Sequence, residues 1–212
     1  MPVRKIPPGR NSITGRFTRG PGGGSIGFES TLERDFVTLM SFEPDVLNIE
    51  DQPVRIDYMD AEKRHRHYTP DYLVHRNHAV PLLAEIKPSK FVTQDLEPKF
   101  DAARNYAAIR GWVFEVWTEK DIRTQRLNSI RFLERYRRLH ADPGRVDRIL
   151  NSLEADGPQP IETLLQACWN EETERNLGED VLWHLLATGI LQTRMDIELS
   201  EHSVISKNGR MP

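Results

Sequence analysis

Cysteine is almost absent: the 212 residues contain one, Cys168, so no internal disulfide can form and a disulfide-stapled secreted scaffold is excluded. Long apolar runs are missing as well. No stretch approaches the ~18 consecutive apolar residues of a membrane helix, and the first two dozen residues hold no apolar segment of a secretory signal. The expected location is the cytoplasm, with no membrane partner. Net charge is also close to absent, 29 Lys and Arg standing against 32 Asp and Glu for a formal −3. A nucleic-acid partner usually leaves a basic signature somewhere, and here that signature is concealed by averaging. Residues 1–24 hold five basic residues and no acid, residues 25–142 hold 18 against 20, and residues 143–212 hold six against twelve. Net charge therefore does not exclude DNA.

What is present falls into three pieces. Residues 1–24 combine Arg4, Lys5, Arg10, Arg16 and Arg19 with Pro7, Pro8, Pro21, Gly20, Gly22, Gly23 and Gly24, a composition that predicts a basic flexible arm. From 25 to 142 the pattern is mixed. Leu32, Phe36, Leu39 and Met40 recur at helical spacing behind Ser30-Thr31-Leu32-Glu33, which has the form of a capping box and predicts a helix over about 30–41. Short extended runs follow, at 46–49, 54–58, 68–74 and 80–86, and predict a small antiparallel meander. Leu96, Phe100, Ala103 and Ala107 mark a second helix stopped by Gly111, and the aromatic strand Trp112–Trp117 reads as a crossover into the same sheet, an α/β core. A further helix at about 127–140 closes the domain. The turn signal Asp142-Pro143-Gly144 sets the expected boundary. The remainder, 143–212, shows three helical stripes and two short β-like runs, the outline of a small winged-helix-like α+β domain.

The chemistry concentrates in Thr69-Pro70-Asp71-Tyr72-Leu73-Val74 and Leu82-Leu83-Ala84-Glu85-Ile86-Lys87. On adjacent strands joined by a short turn, Asp71 and Glu85 come together, and Glu85 and Lys87, two residues apart, share a face. Carboxylate oxygens of this kind suit Mg²⁺, with Mn²⁺ as substitute, and the carbonyl of Ile86 offers a further oxygen. Such an ion lowers the pKa of bound water and polarises a phosphoryl oxygen. The bland alternative is a solvated strand face. Against it, both carboxylates adjoin apolar runs, where a charge is costly unless paired or on a metal.

Through Pro70-Asp71 and Glu85-Ile86-Lys87 the sequence resembles the PD-(D/E)xK nuclease superfamily. More closely, Ser30–Phe36, Ile49-Glu50-Asp51-Gln52-Pro53, Tyr68–Val74 and Glu85-Ile86-Lys87-Pro88 are similar to the TnsA-type endonuclease subunit of heteromeric transposases. The resemblance implies a restriction-endonuclease-like core, a mixed sheet flanked by helices, with a winged-helix-like domain behind it. It implies a metal-dependent DNA endonuclease that hydrolyses the non-transferred strand at the 5′ ends of a transposon, alongside a DDE-type transposase and an AAA+ ATPase regulator in the prokaryotic cytoplasm. It also implies the site residues Glu33, Asp71, Glu85 and Lys87, with Glu33, Asp71, Glu85 and Ile86 toward the metal. By the residues alone Glu33 reads first as a capping residue, with Glu29 one turn earlier as the competing carboxylate.

Other features are weaker. His65, His67, His75 and His78 flank the hairpin turns without a cysteine or a His-x-x-x-His helix, and read as loop histidines rather than a zinc site. Arg131, Arg135 and Arg138 form a helical stripe which, with Lys90 and Lys99, is the expected phosphate-contacting set. The helix starting Glu171-Glu172-Thr173-Glu174 repels phosphate, so the last domain is expected to dock protein. A stand-alone restriction-like or structure-specific nuclease is the alternative, and a non-catalytic winged-helix regulator is the alternative of another class.

Overall fold

The computed structural model describes residues 15–18 and 25–208. It divides into two units that part between Arg123 and Thr124. In the first, strands β1 (Gly15–Thr18) and β2 (Ser25–Phe28) pair antiparallel and lead into helix α1 (Thr31–Ser41). Four residues assigned to the flexible arm are thus strand; the rest of that arm lies outside the described residues. Ser30 is the N-cap of α1, its hydroxyl accepting the Glu33 N–H, and the helix buries Leu32, Phe36, Val37, Leu39 and Met40. The predicted apolar stripe is the buried face.

Next come β3 (Val46–Asp51), β4 (Ile56–Met59), β5 (His65–Tyr68), β6 (Tyr72–Arg76) and β7 (Leu82–Ile86), then α2 (Glu97–Ile109), β8 (Val113–Trp117) and the short α3 (Glu119–Ile122). The central sheet runs β3-β6-β7-β8, with β7 and β8 parallel and the other pairs antiparallel. The simple meander is corrected here: β3 skips to β6, and β4 pairs with β5 alone. The reason lies in the hairpin itself. Its turn is closed by Asp60, which accepts the Arg64 N–H at 2.9 Å and the Arg64 and Arg66 guanidinia at 2.8 and 3.0 Å. Its polar residues stay exposed while Ile56 and Tyr68 are buried, so only one face can join a core. That face meets α2 through Ile56, Tyr68, Leu73, Leu83, Ala103 and Ala107. On the opposite face of the sheet Phe36 of α1 stacks on Tyr72 at 5.5 Å and meets Trp117 edge-on at 5.3 Å. Gly111 ends α2 at φ 70°, a left-handed conformation that glycine adopts at no steric cost.

The second unit holds α4 (Gln125–Glu134), α5 (Pro143–Asp156), β9 (Gln159–Pro160), α6 (Ile161–Cys168), α7 (Glu172–Ala187), β10 (Leu191–Gln192) and β11 (Val204–Lys207). Its three strands form an antiparallel sheet in the order β10-β11-β9. α4, expected to close the first domain, packs instead with α7: Phe132 meets Trp183 at 5.0 Å and Ser129 donates to the Met195 carbonyl at 3.1 Å. The division therefore falls earlier than the Asp142-Pro143 signal, which is a helix start. Asp142 caps α5 by accepting the Arg145 N–H, with Pro143 at the first helical position, where a missing N–H costs nothing. No helix among the described residues is long and apolar enough to cross a membrane.

Candidate active site

Alternation along β7 divides its side chains between the two faces of the sheet. Leu83 belongs to the cluster beneath α2, and with a period of two Glu85 and Lys87 follow on that same side. The β6–β7 register, in which Tyr72 pairs with Ala84, brings Asp71 level with Glu85. Asp71 is anchored by the backbone: the Ile86 N–H donates to its Oδ2 at 2.7 Å. Glu85 is 5% exposed and has donors on both oxygens, the Tyr68 hydroxyl on Oε2 at 2.6 Å and Lys99 Nζ on Oε1 at 2.8 Å. Lys87 Nζ stands 4.0 Å from the same Oε1.

Burial pushes the Asp71 carboxyl well above the usual carboxylate range, the charges of Glu85 and Glu33 add to the shift, and the Ile86 N–H and Lys99 oppose it. A site that collects acids against their own repulsion has the electrostatic character of a cation-binding or proton-handling centre. The Tyr68 phenol is likewise held protonated, first by burial and then by the Glu85 charge beside it, so it remains a donor.

Glu33 comes from the other face. Its Oε2 accepts the Glu29 N–H at 2.7 Å, its Oε1 accepts the Ser30 hydroxyl at 2.9 Å, and the Tyr72 hydroxyl lies 3.4 Å from Oε2. The Ser30 cap is present, but Glu33 turns to the Ser30 hydroxyl and the Glu29 N–H rather than to the Ser30 N–H of a full capping box, and the same carboxylate adds to the repulsion felt at Asp71. Burial raises the Glu33 pKa despite these hydrogen bonds. Glu29, the competing carboxylate, accepts from the Gln52 side chain at 3.0 Å. Gln52 also donates its backbone N–H to the Asp71 carbonyl at 2.8 Å and takes φ 46°, a strained conformation for a residue other than glycine. Gln52 ties the rim of the site to the residues that lead into α1, and the motif Glu50-Asp51-Gln52-Pro53 was its only signal in the sequence.

Two loops are pinned at the strand ends. Lys87 donates its N–H to Trp117 O at 2.9 Å. Ser89 donates its N–H to Glu119 Oε2 at 2.7 Å and its hydroxyl to Glu119 Oε1, which brings the Glu119 carboxyl down to about 2.

The phosphate-contacting set does not assemble as a stripe. α4 ends at Glu134, so Arg138 lies beyond the helix that carries Arg131. Arg135 turns back to donate to Phe132 O at 3.0 Å, its guanidinium 4.6 Å from the Phe132 ring. Lys99 faces Glu85, while Lys90 is exposed on the turn after β7, over Phe91 at 4.8 Å. His75 bonds Glu50 at 2.8 Å and His78 lies 2.9 Å from Asn77 Nδ2, a local surface arrangement. Among the described residues, Glu162, Glu201 and His202 are the trio whose ligand atoms lie within 4.8 Å of one another. Glu33, Asp71 and Glu85 are not gathered that tightly, because each is held by its own hydrogen-bond donors.

A mixed sheet flanked by helices, with Asp71 and Glu85-Ile86-Lys87 at neighbouring strand ends, is compatible with a restriction-endonuclease-like core. Residues 43–119 match the family model described as the TnsA-like endonuclease N-terminal domain. This segment, which holds Asp71, Glu85 and Lys87 but starts after Glu33, is a TnsA-type endonuclease domain. No curated protein matches the chain. The match indicates a DNA endonuclease role within a transposase, with a transposase subunit as partner.

Proposed function

We propose that the chain is a Mg²⁺-dependent endonuclease that hydrolyses the non-transferred strand at the 5′ ends of a transposon, acting with a DDE-type transposase and an AAA+ regulator. The observation that carries this reading is half-buried Asp71 paired with buried Glu85, beside Lys87, inside the matched segment. The donor set fits a hard divalent cation: the oxygens are carboxylates, and their mutual repulsion at Asp71 is what a bound cation relieves. Asp71 and Glu85 would hold it, with Glu33 and the Ile86 carbonyl as further oxygens. When bound, the ion supplies Lewis-acid polarisation of the phosphate and a more acidic water.

The chain's own groups do the rest. Lys87, its side chain 27% exposed, reaches solvent from a strand end and can orient the attacking water and stabilise negative charge growing on the phosphate. The Ile86 N–H fixes the Asp71 carboxylate, and Tyr68 fixes Glu85, so neither must reorganise when substrate arrives. Exposed Lys90 supplies a phosphate contact near the same strand end. From α5 onward the second unit runs helix–strand–helix–helix–strand–strand, which supports a winged-helix-like reading, but α7 opens with Glu171, Glu172 and Glu174. Its role in this reading is to dock protein.

The reading is tested by reconstituted cleavage of DNA carrying transposon ends, with and without the partner transposase. Asp71→Ala and Lys87→Ala each abolish cutting of the non-transferred strand, by about a thousandfold or more, while thermal unfolding and partner binding stay intact. Wild-type cutting by either variant, or full activity in the presence of a chelator, refutes it.

A further inference from the structure

The centre contains a second lysine that the nuclease motif does not supply. Lys99 sits in the first turn of α2 and places Nζ 2.8 Å from Glu85 Oε1, against 4.0 Å for Lys87. It is also the more enclosed of the two, 16% exposed against 27%. Its ammonium lies 4.4 Å from the centre of the Tyr68 ring and 5.2 Å from that of Phe100. Two aromatic faces and a buried carboxylate replace much of its water. A desolvated ammonium is retained only where a strong negative partner compensates it.

The arrangement is economical. Tyr68 donates to one oxygen of Glu85 and presents its ring to the cation that binds the other oxygen. Glu85 is thus held in one orientation by groups on β5 and α2, neither of which carries the nuclease motif. The same positive charge opposes the upward shift at Asp71, so its influence extends across the centre.

We propose that Lys99 is a positioning residue, the built-in counter-ion of Glu85, and that a divalent cation entering the centre must compete with its ammonium for Glu85 Oε1. The inference rests on the metal-centre reading above. It assigns the two lysines different roles: Lys87, farther from Glu85 and more exposed, serves the phosphate, and Lys99 sets the affinity for the ion. Like charges a few ångströms apart in a partly desolvated site repel strongly, so removing Lys99 strengthens ion binding.

The test is Mn²⁺ titrated calorimetrically into the full chain. Lys99→Met keeps the apolar stem against Tyr68 and Phe100 and removes the charge; it is expected to lower the Kd for Mn²⁺ by about tenfold or more. Lys99→Gln shifts it in the same direction, and Lys99→Arg leaves it within about threefold. Without Mn²⁺ the Met variant melts at lower temperature than wild type, and saturating Mn²⁺ restores it. In a Glu85→Gln background Lys99→Met no longer shifts the Kd. A purely packing role predicts the opposite pattern: equal losses of Tm with and without Mn²⁺, and an unmoved Kd in both the Met and Gln variants. Asp71→Ala separates the two levels. If it abolishes Mn²⁺ binding while the Lys99 variants bind like wild type, the counter-ion role alone falls; if it leaves Mn²⁺ binding unchanged, the metal centre falls and this inference with it.

Discussion

Removing one oxygen atom, by Tyr68→Phe, isolates the support of the buried carboxylate. The ring keeps its place against Ile56, Leu73 and Leu83 and beneath Lys99 at 4.4 Å, so no cavity opens. What is lost is a 2.6 Å hydrogen bond to an acid that is 5% exposed. A hydrogen bond to a charged group contributes about 1.5–3 kcal/mol, because the acceptor left behind cannot recover water. For a chain of this length each kcal/mol shifts Tm by about 2–4 °C, which puts the expected loss at roughly 3–12 °C by the same scaling. Urea unfolding at neutral pH without divalent ions measures it: the midpoint falls with the slope unchanged, and amide exchange in β7 and β8 reports the first unit separately. Repeating the change in Glu85→Gln, where the acceptor is a neutral amide worth about 1 kcal/mol, leaves a coupling of about 1 kcal/mol in the cycle. A loss below about 0.5 kcal/mol, the usual scatter of a surface change, refutes the claim that Tyr68 supports Glu85.

Two further predictions concern charge and packing. Asp71→Asn stabilises the protein above the acid range while abolishing cleavage. Because the folded pKa of Asp71 is raised, the native state binds more protons than the unfolded chain between the unfolded and folded pKa values. Wild-type stability therefore falls as pH rises through that window, by ~1.4 kcal/mol for each pH step of one. The two melting curves converge in acid and separate toward neutral pH in metal-free buffer; curves that stay parallel refute it. In the second unit, Gly178→Ala destabilises by about 1 kcal/mol or more even though alanine favours a helix by about 1 kcal/mol. The added Cβ would lie 2.3 Å from Trp169 Cζ3 and 2.7 Å from Cε3 and Cη2, against a ring that is 6% exposed. A thermal melt at or above wild type contradicts that packing argument.

Much of the local structure was legible because its causes are local. Ser30 caps α1 because its hydroxyl is three residues from the N–H it accepts. Gly111 and Gly189 end helices at φ 70° and 75° because an αL residue is needed there and glycine adopts it freely. Asp71 beside Glu85-Ile86-Lys87 was legible for the same reason: a short turn and a period of two leave little choice of register or face. The sequence by itself determined these elements and the composition of the centre.

Contacts between distant elements were not legible. β3 pairs with β6 rather than β4 because the β4–β5 hairpin offers a single apolar face, which it packs against α2, and α4 joined the second unit because Phe132 found Trp183, 51 residues further on. Lys99 read as a phosphate contact, since nothing in its neighbourhood along the chain shows that α2 will fold across β7 and set its ammonium on Glu85. Helical and strand periodicity say which side chains share a face, but they carry no information about what that face will meet. Tertiary packing alone decided that the acids of this centre would share it with a second cation.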